Sequence, residues 1–183
     1  MDSQGITAGL LSLTAPGIVA WENSERPQMA RRVNEYTTDL VADRPDRFGH
    51  FATLPLPDID SALLELEYAF DTLRADGVIL VGNYGDKYLG DVLFESLWAE
   101  LDRRRAVVFV HPGLPLPPAV GLAGPLVDCP FATTRAAVQL VLNGIVDRKL
   151  KARIILSHAG GFVRYASHRF AELARVFRPM PQS

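Results

Sequence analysis

An α/β fold of parallel strands with flanking helices is predicted by three features of this sequence. Strand-like and helix-like segments alternate along the whole chain in five βα units, the pattern that βαβ connections produce. The runs Ala106-Val107-Val108-Phe109-Val110 and Ala152-Arg153-Ile154-Ile155-Leu156 are close to continuously apolar, as expected of parallel strands covered on both faces. Each run leads straight into histidine, at His111-Pro112 and at Ser157-His158-Ala159-Gly160-Gly161. In a β/α barrel the C-terminal strand ends face the catalytic mouth, so both imidazoles are expected there. Side chains alternate along a strand, so His111 should share its face with Phe109 and Val107, and His158 with Leu156 and Ile154.

The elements follow in order. A first strand is expected near Ile6 to Ser12, and a helix after Ser24 with Met29, Val33, Tyr36, Leu40 and Val41 at helical spacing. The next strand runs from Phe48 to Leu56. Its helix is capped by Asp58, buries Ile59, Leu63, Leu66, Phe70 and Leu73, and ends at Gly77, which suits a left-handed terminus. The third strand is Val78 to Val81, and its helix follows Asp91 with Phe94, Leu97, Trp98 and Leu101 on one face. The fourth strand delivers His111. A Pro/Gly-rich loop from Pro112 to Pro130, long enough to suggest a functional role, then leads to a helix carrying Val138, Val141, Leu142 and Ile145. The fifth strand delivers His158, and Ala166, Phe170, Leu173 and Val176 line the last helix. No repeat, low-complexity tract or linker divides the chain, so residues 1–183 read as one domain. A complete eight-fold barrel takes about 250 residues, so five units form either an open sheet or a barrel with parts missing.

Composition narrows the function classes. With 183 residues, 48% hydrophobic and 22% charged, the chain can bury one core. A net charge of -2, without Lys/Arg clusters interleaved with aromatics, argues against nucleic acid as a partner. No apolar run approaches membrane-spanning length, so no membrane association is expected. The single Cys129 cannot form an internal disulfide, and the N-terminus lacks a secretory pattern, which makes the cytoplasm the expected compartment.

Four segments taken together, Pro45-Asp46-Arg47-Phe48-Gly49, Thr53-Leu54-Pro55-Leu56-Pro57-Asp58, Phe109-Val110-His111-Pro112 and Ser157-His158-Ala159-Gly160-Gly161, resemble the amidohydrolase-related metal-dependent decarboxylases. This branch includes aminocarboxymuconate semialdehyde decarboxylase and the salicylate-type decarboxylases. The resemblance runs from Met1-Asp2 to Arg169 and implies an incomplete (β/α)8 barrel of the TIM type. It further implies non-oxidative decarboxylation of an aromatic or enoic acid, a divalent cofactor of which zinc is the expected ion, a small carboxylic acid as substrate, and a homo-oligomer. By the same resemblance, the chain begins at the family's second strand and stops before its seventh and eighth. The family shell combines a first-strand His-x-His or Glu-x-His, a fifth-strand histidine and an eighth-strand aspartate. His111 matches the fifth-strand ligand, and His158 matches the proton shuttle. No His-x-His occurs in the chain, so it is expected to be catalytically silent on its own.

Each assignment has a plainer rival. His111 could be a strand-end histidine satisfied by loop backbone, and a single ligand cannot hold zinc, which wants about four donors. For His158, the flanking Gly160 and Gly161 allow close backbone approach to a ligand and open a helix whose N-terminus favours a carboxylate. Asn83 sits at a mouth position for substrate contact, or serves as a turn former in Gly82-Asn83-Tyr84-Gly85. His50 and His168 read as packing or surface residues, and Arg135 and Arg169 as helix-surface ion pairs. Arg164 stands where the family commonly has proline, which leaves the start of the last helix open. Two other functions fit the same fold: a hydrolase acting on a lactone or amide, and a non-catalytic oligomeric remnant.

Overall fold

The computed structural model describes residues 1–113, 121, 123–148 and 151–176. Its strands and α-helices are β1 (Gly9–Leu11), α1 (Arg26–Asp43), β2 (Phe48–Thr53), α2 (Ile59–Asp71), β3 (Gly77–Val81), β4 (Asn83–Tyr84), β5 (Lys87–Tyr88), α3 (Glu95–Arg103), β6 (Val107–His111), α4 (Asp128–Leu142), β7 (Arg153–Leu156) and α5 (Val163–Val176). The main sheet has the order β1-β2-β3-β6-β7 and every pairing in it is parallel. β4 and β5 form a small antiparallel ribbon beside it. A doubly wound sheet reverses direction at a switch point, whereas this order follows the chain throughout, as successive strands of a barrel do. The sheet is therefore an arc of a barrel, with β1 and β7 at its edges among the described residues.

Alternation along the strands separates two faces. Val78, Leu80, Val108 and Val110 are buried under the helices with Leu66, Leu97 and Trp98. Val107, Phe109 and His111 are half-buried on the opposite, concave face. There the Phe51 and Phe109 rings lie 6.0 Å apart and the Phe109 and His111 rings 6.3 Å apart. His111 thus shares its face with Phe109 and Val107 as expected. His158 does not follow the same rule: Ile154 and Leu156 pack against the helix-side core, and Ile155 is exposed on the concave face. The strand ends at Leu156, so strand alternation does not extend to His158.

Several expected helix faces are rotated in the structure. α1 buries Ala30 and Asn34, while Tyr36 is 65% exposed and Leu40 also faces outward. The reason is polar: the Asn34 side chain accepts a bond from Thr53 N–H at 2.8 Å and donates to Thr53 O at 2.9 Å and to Glu65 Oε1 at 2.8 Å. β1 reaches only to Leu11, paired with His50, so Asn34 supplies to β2 the bonds a longer neighbour would have made. Glu65 is buried in turn and is held by Arg31, 2.8 Å away.

The Asp58 cap is present, its carboxylate accepting Ser61 N–H at 3.2 Å. Gly77 does not end α2: the left-handed residue after the helix is Arg74, and Gly77 opens β3, where a Cβ would run into the Val107 carbonyl. Asp91 caps a short turn that leads into α3, whose Leu97, Trp98 and Leu101 are buried after Phe94, as predicted. α4 buries the small residues Thr133, Thr134, Ala136 and Ala137 with Leu140, and leaves Val141 and Leu142 exposed. This turn of the helix sets Ala136 close against Gly82. α5 begins at Val163 and has no buried residue, so its expected stripe is not a core face here. Residues 114–120 and 122 of the expected Pro112–Pro130 loop lie outside the described residues.

Asn34→Ala would leave the Thr53 backbone groups and Glu65 without these bonds at roughly 1–3 kcal/mol for each buried polar group. A loss of about 3 kcal/mol by urea denaturation is expected. His50 provides a pH test. Its imidazole is buried, with Nε2 3.4 Å from Thr38 Oγ1, and its backbone N–H donates to Asp76. Burial lowers its pKa, against the raising pull of the Asp76 carboxylate. The folded state therefore holds that proton less well than the unfolded chain, where histidine titrates near pH 6.5, so this group costs no stability well above about pH 6.5 and costs progressively more as pH falls below it. Urea midpoints measured at pH 7.5 and 5.5 should differ less in His50→Gln than in the parent.

Candidate active site

Parallel pairing sets the frame of the site. Val110 faces Leu156 across β6 and β7, and Ser157 N–H continues the ladder to Val110 O at 3.1 Å. On the other side, Gly82 N–H donates to His111 O at 2.8 Å. The strand ends thereby bring His111 and His158 together, with ring centroids 5.8 Å apart and planes inclined at 56°.

His111 Nδ1 lies 3.1 Å from Pro112 O. A carbonyl oxygen can only accept, so the ring carries its hydrogen on Nδ1 and presents a lone pair at Nε2. Burial pushes the His111 pKa down, the Pro112 bond opposes this, and the neighbouring His158 adds to the lowering. A neutral imidazole with a free Nε2 is the form in which histidine binds metals.

His158 reaches the site by a turn. His158 and Ala159 both have left-handed backbone, with φ of 51° and 50°. For non-glycine residues this conformation costs roughly 1–2 kcal/mol each, and such strain clusters at functional sites. Contacts with the start of α4 hold the turn in place. Thr134 Oγ1 accepts Phe162 N–H at 2.7 Å and donates to Pro130 O at 2.8 Å. A side chain at Gly161 would collide with both Pro130 O and Thr134, so this glycine allows the turn to approach α4. That is a different approach from the one to a ligand expected from the sequence. His158 itself is exposed, and its Nδ1 is 3.1 Å from Thr133 Oγ1 and 3.2 Å from Ser157 Oγ. Sequence reasoning gave Thr133 no role, because a threonine 25 residues upstream carries no spacing signal toward a histidine.

Asn83 is placed beside this site. Its amide donates to Gly85 O at 3.0 Å, and its Oδ1 lies where a side chain on Gly113 would be. The Asn83 donor thus serves the turn between β4 and β5, and its oxygen sits against the segment that follows His111. Arg135 lies over the Tyr88 ring and donates to its hydroxyl at 3.3 Å, so an aromatic partner takes the place of the expected ion pair. His50 is buried and His168 exposed, in line with their packing and surface readings.

Among the described residues no three His, Cys, Asp or Glu side chains form a group able to hold a metal. At most two imidazoles meet here where zinc takes about four donors, so these residues do not by themselves fit a divalent ion. No described helix is long and apolar enough to cross a membrane.

Sequential parallel strands with two imidazoles brought together at their C-terminal ends are the arrangement of a β/α-barrel fold with its site at the strand ends. The chain belongs to the amidohydrolase family, whose model matches residues 7–181. A decarboxylase of Penicillium terrestre is 42% identical over 187 residues, covering 94% of this chain and 55% of the relative. The 6-methylsalicylic acid decarboxylase of Penicillium expansum is 41% identical over 175 residues, covering 92% and 54%. Among solved structures, a dihydroxybenzoic acid decarboxylase from Polaromonas sp. JS666, with bound manganese and the inhibitor 2-nitroresorcinol, aligns with a TM-score of 0.87 at 27% identity. That alignment covers 100% of this chain and 59% of the other. The incomplete barrel expected from the sequence is thus the fold found, and the chain spans about half the length of the curated relatives it matches.

Proposed function

We propose that this chain carries part of the active site of a non-oxidative decarboxylase acting on an aromatic carboxylic acid of the hydroxybenzoate type. The observation that carries this reading is the pair of imidazoles 5.8 Å apart at adjoining strand ends, one with a free Nε2 and the other exposed to the concave mouth. Loss of carbon dioxide from such an acid needs a proton at the ring carbon bearing the carboxylate. In its charged form His158 delivers that proton from Nε2; the bond from ring carbon to carboxylate then breaks, its electron pair returns to the ring, and carbon dioxide leaves. His111 is the donor this chain would bring to a divalent ion, whether zinc, as the sequence suggests, or manganese, as in the Polaromonas enzyme. The described residues supply no group of three donors that could complete such a shell. Asn83, whose oxygen sits against the segment that follows His111, is the residue this reading assigns to contact with the acid. The relatives named above are decarboxylases, and no feature of the site favours the hydrolase alternative.

A chimera tests this reading: residues of this chain replace the matching stretch of 6-methylsalicylic acid decarboxylase, and carbon dioxide release is followed with manganese or zinc present. Release is expected, with loss of at least about 100-fold in His158→Ala, the usual scale of general acid catalysis. A chimera that works equally well with His158→Ala would refute the role. The chain alone should release none, because its described residues form no group of three donors. We also propose that a second copy covers the β1 and β7 edges, since unpaired parallel edges invite pairing. Sedimentation at micromolar concentration should then show a dimer or larger species, and a stable monomer would refute this.

A further inference from the structure

Thr133 Oγ1, Ser157 Oγ and His158 Nδ1 form a closed triangle, with separations of 3.3, 3.1 and 3.2 Å. Among the described residues, neither hydroxyl has any other side-chain partner. Thr133 is 1% exposed and Ser157 9%, so water offers little relief. Each hydroxyl has one hydrogen to place. If Nδ1 is an acceptor, both are used: one hydroxyl donates to the other, and the second donates to Nδ1. If Nδ1 instead carries a hydrogen, it donates into the pair, and one hydroxyl hydrogen is left in a buried place with no acceptor. A buried donor without a partner is disfavoured.

We infer that Thr133 and Ser157 are positioning residues that hold neutral His158 in the tautomer with its hydrogen on Nε2. The two site histidines then differ in kind. His111 offers the site an electron pair, and His158 offers it a hydrogen. Charging His158 adds the second hydrogen at Nδ1, away from the mouth, so Nε2–H faces the acid as it binds in either charge state. Giving up the Nε2 proton leaves the hydrogen on Nδ1, and the hydroxyl pair then favours a return to the Nε2–H form once the ring exchanges protons with water. In the opposite tautomer, a lone pair would face the acid's carboxylate and repel it. This inference rests on the proposed reaction only for its purpose, because the tautomer exists whether or not the chain turns over.

The test is long-range 1H–15N correlation spectroscopy on [15N]histidine-labelled protein at a pH where His158 is neutral, with His158→Gln used to assign its signals. In the parent, His158 Nδ1 should fall in the unprotonated range and Nε2 in the protonated range. Thr133→Ser, which keeps a hydroxyl, should leave both signals in place. Thr133→Val with Ser157→Ala should move the two nitrogens toward the averaged positions of a mixed imidazole. Protonated Nδ1 in the parent would overturn the inference without any variant, and so would a folded double variant with unmoved signals. Failure of the chimera to release carbon dioxide would count against the proposed reaction and leave this measurement unaffected.

Discussion

The pairing of β6 with β7 is the constraint on which the site depends. In parallel strands a one-residue change of register turns every side chain to the opposite face. With Val110 opposite Leu156, Ser157 is the last residue held by the ladder and the chain is free to turn at His158. A shift of one residue would bury His111 among the helices and break the triangle of Thr133, Ser157 and His158. The register is secured from both sides, since Val108, Val110, Ile154 and Leu156 all pack into the core beneath the helices. Burial of four apolar side chains, at roughly 1.5–3 kcal/mol each when complete, outweighs the cost of the two left-handed residues at the turn.

The same balance explains the role of α4. Its first turns meet the Gly160-Gly161 turn through Thr134 and Pro130, and the adjacent Thr133 reaches His158. A helix face made of threonine and alanine would be a poor core stripe, and here it brings hydroxyls within bonding distance of a strained turn. Structural and chemical roles therefore fall on adjacent residues of one helix, Thr134 holding the backbone and Thr133 the ring.

Much of this was readable in the residues. The continuous runs before His111 and His158 gave both strands, because parallel burial leaves a signature in a single stretch of chain. Asp58 and the helix after Asp91 were likewise local matters. Helix faces were read less well. Tyr36 and Leu40 match the helical period but lie outside, because the buried place on α1 goes to Asn34, whose partners Thr53 and Glu65 are 19 and 31 positions away. The face of His158 departs from strand alternation for a similar reason: alternation ends with the strand, and the turn beyond it is decided by α4. Gly77 suits a helix end by its local pattern, whereas its actual need is the close approach of β6. In each case the missing information was a contact between distant segments, which periodicity does not encode.

The unbroken strand order also bears on how the chain acquires its structure. Every pairing in the main sheet joins a strand to the next one of that sheet, so each added strand closes a loop of one helix and its connections. Such topologies need no segment to wait for a remote partner, and loop closure of this size carries a modest entropic cost. Assembly can advance one βα unit at a time, with Asn34 fastening β2 as soon as α1 and α2 have met. A polypeptide emerging gradually from its N-terminus would thus find each new strand a template already waiting.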